Sequence, residues 1–215
     1  WEPTLDGLVA RIHLAGDDSP RELVLPVPGE HMALNALAAL IAVRDYGGDV
    51  SEALEALTHF GGVNRRFQYH GHVGGIRVYD DYAHHPTEAR AVLTAAREVA
   101  DADAQGLGHP GRVIVCFQPH LFSRTEQFAE EFAKALDLAD YAIVLDIYGA
   151  REKPIPGVTS ELITTQLTIP HKYQPDFSKV PYDVAAIAEP GDIVLTMGAG
   201  NVTMEADAVI ALLKG

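Results

Sequence analysis

Positive charge is scarce in this chain: 16 Lys and Arg stand against 30 Asp and Glu, a formal net charge of −14 over 215 residues. A broad nucleic-acid or acidic-membrane surface is therefore excluded, because like charges repel phosphates. A local basic pocket for one anion is not. Cysteine is scarcer still. The single Cys116 has no partner for an internal disulfide, and its place in the apolar run Arg112-Val-Ile-Val-Cys-Phe117 reads as a buried structural thiol. No apolar stretch reaches the roughly 18 residues of a membrane-spanning helix. Trp1-Glu-Pro-Thr4 lacks the pattern of a signal peptide, so a reducing cytoplasm is the expected location. There is no Gly-Lys pair, hence no Walker-type phosphate loop, and no G-x-G-x-x-G opens the chain. Position 1 is not Met, and the first segment reads as a hairpin detached from any sheet. Truncation of a longer protein is the expectation.

What is present suits a globular core, with 47% hydrophobic residues and Gly and Pro dispersed rather than clustered. Residues 7–14 and 22–27 are β-rich runs joined by a polar stretch, an antiparallel hairpin. Pro26 and Pro28 stop the second strand or place it at an edge. Residues 31–43, rich in Ala and Leu and free of breakers, predict a helix. A second helix starts near residue 51, with Ser51 as its N-cap. Gly61-Gly62 marks the domain boundary. Beyond it, apolar strand candidates at 76–79, 112–117, 141–147 and 192–197 alternate with helical segments at 87–100, 125–138, 160–167, 182–188 and 202–214. That rhythm predicts an α/β fold, a mostly parallel, Rossmann-like sheet with helices on both faces. In such sheets ligands bind beyond the carboxyl ends of the strands.

The residues after each strand are polar beyond the needs of a scaffold. They are Asp80-Asp-Tyr-Ala-His-His-Pro-Thr-Glu88, Gln118-Pro-His-Leu-Phe-Ser-Arg-Thr125, Tyr148-Gly-Ala-Arg-Glu152 and Gly198-Ala-Gly-Asn201. With parallel strands, all four loops open on one rim. Asp80, Asp81, His84, His85 and Glu88 have the chemistry of a divalent metal site. Equally, Pro86 opens a helix there, and the acids and histidines serve as loop caps. His120 and Arg124 suit an anion, since a fixed guanidinium holds a carboxylate bidentately; a plain surface arginine is the alternative. Gly198-Ala-Gly200 sits where phosphate-cradling turns sit, or serves only close packing. Asn64-Arg-Arg-Phe67 follows the boundary directly, placing two arginines where ligands commonly bind between domains. His31 and Asn35, four apart, share one face of the first helix.

Taken in order, these blocks resemble the Mur ligases. The resemblance rests on Gly29-Glu-His-Met-Ala-Leu-Asn-Ala-Leu-Ala-Ala39, Asn64-Arg-Arg-Phe67, Asp80 to Glu88, and Phe117-Gln-Pro-His-Leu-Phe-Ser-Arg-Thr125. The last block, with Asp146-Ile-Tyr-Gly-Ala-Arg-Glu152, looks like the member that joins L-alanine to UDP-N-acetylmuramate. The resemblance implies ATP-dependent amide-bond formation through an acyl phosphate, with ATP, UDP-N-acetylmuramate and L-alanine as partners and Mg2+ held mainly from a central domain. It implies that residues 1–62 are the C-terminal end of that central ATP-binding domain, a hairpin-plus-helices remnant, and that 63–215 are the C-terminal, amino-acid-binding domain. The absent N-terminal and central domains of the same enzyme are then partners too. His31 and Asn35 look like adenine contacts, although Met32 stands where the family usually has Asn. Arg66 resembles the arginine facing the γ-phosphate. Asp81 resembles the acid that accepts ribose hydroxyls, with Tyr82 lining that pocket. His84, His120 and Arg124 look like the group that fixes the amino-acid or lactyl carboxylate, and Leu121 stands where some relatives carry a second Arg.

Without a phosphate loop, this polypeptide alone is expected not to ligate. Two rival readings remain: a metal-dependent hydrolase built on Asp80, Asp81, His84 and His85, and a non-catalytic nucleotide- or amino-acid-binding module. In residues 1–62, Leu34, Leu37 and Ile41 are expected to lack their usual apolar partners.

Overall fold

In the computed structural model, residues 1–4, 7–102 and 111–214 are described. They form two compact units, Trp1–Val63 and Asn64–Gly215.

The first unit is a three-stranded antiparallel sheet, β1 (Glu2–Thr4), β2 (Gly7–Ile12) and β3 (Arg21–Leu25), with helices α1 (Glu30–Asp45) and α2 (Val50–Thr58). Alternation along the strands sends Leu8, Ala10 and Ile12 of β2, with Leu23 and Leu25 of β3, into one core with Ala33, Ala36 and Leu40 of α1. Gly7 allows the close approach of the strands, since a Cβ there would lie 1.9 Å from the Leu25 carbonyl oxygen. The cap of α2 is Asp49 rather than Ser51: its carboxylate accepts the amides of Ser51 and Glu52. Asp two residues earlier reaches the orphan amides of the first turn, whereas Ser51 already lies inside it. Leu34 and Ile41 are exposed, while Leu37 packs against the core of its own unit.

The second unit carries a six-stranded sheet in the order β4-β5-β9-β6-β7-β8. The strands are β4 (Gln68–Val73), β5 (Ile76–Asp81), β6 (Val113–Phe117), β7 (Tyr141–Leu145), β8 (His171–Gln174) and β9 (Ile193–Met197). All neighbours are parallel except the β4–β5 hairpin. The helices are α3 (Pro86–Ala102), α4 (Phe122–Leu136), α5 (Glu161–Thr164), α6 (Val180–Ile187) and α7 (Met204–Leu213). Period-two alternation divides the central strands between two cores. Val113, Val115 and Phe117 of β6 join Leu93 of α3, Phe132 of α4 and Ile163 of α5. Ile114 and Cys116 join Val184 of α6 and Val209 of α7. Both faces of the sheet are thus apolar and covered, as the uninterrupted hydrophobic run in β6 requires. Cys116 is a free, buried thiol, and burial pushes its pKa well up.

Both edge strands escape the sequence pattern. β4 (Gln-Tyr-His-Gly-His-Val) and β8 (His-Lys-Tyr-Gln) are largely polar because each has one sheet neighbour and is partly exposed. Gly71 sits at a register irregularity in β4 that blurs its alternation further. The expected helix over 160–167 is a single turn, Glu161–Thr164.

Phe132 is fully buried and its ring centroid lies 5.2 Å from that of Phe117. Phe132→Ala is expected to destabilise the second unit by about 3–5 kcal/mol, read as a lower urea midpoint with an unchanged slope.

Candidate functional site

The end of β5 organises the rim. Ile76 and Val78 face one core and Tyr79 the other, so the next two residues, Asp80 and Asp81, point to opposite sides of the sheet. Both are buried. The Asp80 carboxylate accepts the hydroxyls of Thr196 and Thr203, each at 2.7 Å, and lies 3.5 Å from Arg65 Nε. Asp81 accepts the amides of Phe67 and Ala83, each at 2.7 Å. Burial pushes the Asp81 carboxyl up to about 6, against the pull of those two amides and of the Arg66 charge.

The two adjacent arginines divide their work. Arg65, in a left-handed conformation with φ 60°, donates to the carbonyls of Gly198 (2.6 Å) and Gly200 (3.1 Å) and stacks 4.6 Å over the Tyr82 ring. It closes the Gly198-Ala-Gly200 turn by occupying its carbonyls. Gly200 has a packing reason as well: a Cβ there would meet Gln118 Oε1 at 2.2 Å and the Tyr148 ring at 2.8 Å. Arg66 is exposed, and no hydrogen bond or ion pair to the described residues holds its guanidinium. Its guanidinium is therefore open to solvent, whereas that of Arg65 is engaged by the protein. Nothing in the order Arg-Arg distinguishes the two; the distinction comes from the positive φ values at Arg65 and Phe67.

Three sequence candidates meet on the rim. Arg124 Nη1 lies 3.2 Å from His120 Nδ1 and 3.4 Å from the His84 carbonyl oxygen. The His84 and His120 rings are 5.7 Å apart, and His120 stacks on Tyr148 at 5.7 Å. Hydrogen-bond logic sets both tautomers. A guanidinium only donates, so His120 Nδ1 accepts and its proton sits on Nε2. Burial, then the Arg124 charge, hold the His120 pKa below its usual range. Conversely, His84 Nδ1 lies 3.0 Å from the Tyr82 carbonyl oxygen and 3.4 Å from Glu88 Oε2, both acceptors, so Nδ1 carries a proton and the neutral ring has its lone pair on Nε2. Glu88 steadies this loop by accepting the amides of His84 (3.0 Å) and His85 (3.2 Å).

His85 turns elsewhere, edge-on to Phe128 at 5.1 Å. His31 is half-buried and Asn35 exposed, one helical turn apart on α1 in the first unit. Sequence reading passed over Arg65, Tyr148 and Glu152 as individual site residues, although each lay in a block already singled out.

The acids do not fit a metal. Asp80 and Asp81 face opposite ways and each is spent on its own donors. Among the described residues no group of three or more His, Cys, Asp or Glu is placed to hold an ion. The hydrolase reading loses its site, and no step through Mg2+ is assigned to this chain.

A mostly parallel sheet, covered by helices on both faces and with arginine and histidine side chains gathered beyond its strand ends, defines an α/β domain of the Rossmann-like kind. This chain belongs to the Mur ligase family: the model described as "Mur ligase, glutamate ligase domain" matches residues 65–200. It is 55% identical to the UDP-N-acetylmuramate–L-alanine ligase of Rhodococcus opacus, over 97% of this chain and 43% of that protein. With the enzyme of that name from Mycolicibacterium smegmatis it shares 52% identity, over 100% of this chain and 43% of the relative. The solved UDP-N-acetylmuramate-alanine ligase of Thermotoga maritima matches with a TM-score of 0.78 at 30% identity, covering 98% of this chain and 44% of its own. The chain thus spans less than half the length of these relatives. No helix among the described residues is long and apolar enough to cross a membrane.

The raised pKa of Asp81 has a testable sign. Its folded value of about 6 lies above the ordinary 3.8, so between those values the folded state binds a proton that the unfolded state has released. The stability contributed by this group therefore falls as pH rises through that window and is flat above it. Asp81→Asn, which cannot ionise, is expected to remove this component. The measurement is the wild-type minus variant unfolding free energy against pH, which declines from about pH 4 to about pH 6 if Asp81 titrates as described.

Proposed function

We propose that this chain is the amino-acid-delivering part of a UDP-N-acetylmuramate–L-alanine ligase, acting in peptidoglycan precursor synthesis in the cytoplasm. The observation that carries the reading is the Arg124–His120–His84 cluster, a gathering of groups suited to an anion on the rim of a chain whose net charge is −14. The names of relatives 52–55% identical across nearly all of this chain support it. Residues 1–62 are, in this reading, the end of the central ATP-binding domain and 63–215 the C-terminal domain. ATP, UDP-N-acetylmuramate, L-alanine and the remaining domains are the partners.

The reaction has two steps. ATP phosphorylates the lactyl carboxylate, and the amine of alanine then attacks the acyl carbon. A C–N bond forms as the C–O bond to phosphate breaks, and phosphate leaves with the electron pair. Arg124 and the Nε2–H of His120 hold the alanine carboxylate, since a charged donor and a neutral one suit an anion. The lone pair on His84 Nε2 takes the proton released by the attacking amine. Arg66 faces the γ-phosphate, where a charge-assisted donor stabilises the charge developing in transfer. Asp81 and Tyr82 form the ribose side of the nucleotide site. Asp81 contributes through the loop it clamps, because both its oxygens already accept main-chain amides. His31 and Asn35 contact adenine. Mg2+ belongs, in this reading, to the whole enzyme and would be held mainly from the rest of the central domain. Holding amine and acyl phosphate in attack geometry is worth up to about 7–11 kcal/mol.

Mixed with a separately made fragment carrying a Gly-Lys-Thr loop, this chain is expected to give phosphate release that depends on alanine and UDP-N-acetylmuramate, and alone to give none. Arg124→Ala is expected to raise the alanine KM by about 100-fold. Arg66→Ala is expected to lower kcat by about 10²- to 10³-fold. Turnover by the chain alone, or phosphate release indifferent to alanine, contradicts the assignment.

A further inference from the structure

The helix that bears Arg124 begins without a cap of its own. Leu121, the residue before it, has φ 72° and an apolar side chain, and no side-chain hydrogen bond from the cap position meets the first turn. The deficiency is met from another strand. Glu152, in the loop after β7, accepts the Ser123 amide at 3.0 Å through Oε2 and the Ser123 hydroxyl at 2.5 Å through Oε1. A carboxylate placed against a helix N-terminus also opposes the positive end of the helix dipole. Those Ser123 bonds hold Glu152 below the usual carboxylate range, so it is charged at neutral pH.

The loop is shaped to deliver that carboxylate. Tyr148 donates its amide to the Pro119 carbonyl (2.8 Å) and accepts the Leu121 amide (2.9 Å), lacing the two strand-end loops together. Ala150, at φ 50°, turns the chain, and the Glu152 amide closes the turn on the Gly149 carbonyl at 2.8 Å. Gly149 lies under Phe122, the first residue of α4; a Cβ on it would meet that ring at 2.7 Å. Glu152 therefore bonds the main chain one residue before Arg124, while the Arg124 guanidinium points to His120 and the His84 carbonyl.

We propose that Glu152 is a positioning residue that caps α4 from the neighbouring loop and thereby fixes the Arg124–His120 pair that receives the amino-acid carboxylate. The inference rests on the ligase reading for what the pair binds, and on this chain's own geometry for how the pair is held.

Two measurements test it separately. In this chain, the imidazole NMR titration of His120 and the Arg124 Nε–H resonance are followed in wild type, Glu152→Ala, Glu152→Gln and Ser123→Ala. Loss of the nearby negative charge is expected to lower the His120 midpoint in Glu152→Ala and in Glu152→Gln and to shift the Arg124 signal in Glu152→Ala. Ser123→Ala, which keeps the charge and one of the two bonds, is expected to shift Arg124 less. In the reconstituted enzyme, Glu152→Ala is expected to raise the alanine KM about tenfold or more, since small misplacements of binding groups cost up to about 10²-fold. The KM for ATP is expected to stay within about twofold. Unchanged His120 and Arg124 signals in a folded Glu152→Ala overturn the proposal, as does a rise in KM for alanine and ATP alike. If the wild type shows no alanine-dependent turnover, the ligase reading fails instead, and the NMR titration still decides whether Glu152 fixes the pair.

Discussion

Two carboxylates in sequence at the end of one strand hold this site together, because a strand must send them to opposite faces. Asp80 ties β5 to β9 and to the turn before α7 through Thr196 and Thr203, with Arg65 beside it. Asp81 ties the start of the second unit, at Phe67, to the loop that carries His84. Each acid is buried, and each is tolerable there only because donors meet it. The positions of Arg66, Tyr82 and His84 follow from that pair of clamps. Arg65 and Phe67 hold their left-handed conformations for the same reason: the surrounding bonds over-determine them.

The rim separates rigid from available groups. Arg65, Asp80, Asp81 and Gln118 are consumed by the protein's own hydrogen bonds; Gln118, for instance, donates to Asn201 and accepts the Val202 amide. Arg66, Tyr82 and Tyr148 stay exposed, and His84, His120 and Arg124 half so. On the proposed function, ligands are positioned by a few groups whose own freedom has been removed by others behind them. The contribution proposed for this chain is then a matter of placement and of tautomer. In their neutral forms one imidazole offers a donor and the other a lone pair, because their Nδ1 atoms face opposite kinds of partner.

Much of this was legible in the residues. The central strands β6, β7 and β9 are runs of Val, Ile and Leu that two covered faces demand, and the polar blocks after them marked the rim. Edge strands were not legible, since β4 and β8 lack the apolar repeat on which such reading depends. Residue type alone did not separate Arg65 from Arg66, whose different surroundings depend on backbone conformation, although the family resemblance singles out Arg66; nor did it give the cap of α2, where Asp49 outreaches Ser51. The metal alternative survived until the structure placed Asp80 and Asp81 back to back. Glu152 was visible in its block, but its target lies 29 residues away across two loops, a distance no local pattern spans.

Cys116 has a consequence beyond packing. It lies in β6 between β9 and β7, inaccessible to solvent and held in its neutral form by burial. No local fraying exposes it without parting the centre of the sheet. A thiol-reactive probe added to the native protein would therefore be a stopwatch for opening of the second unit. Its labelling rate would report how often the sheet itself comes apart rather than how its loops breathe.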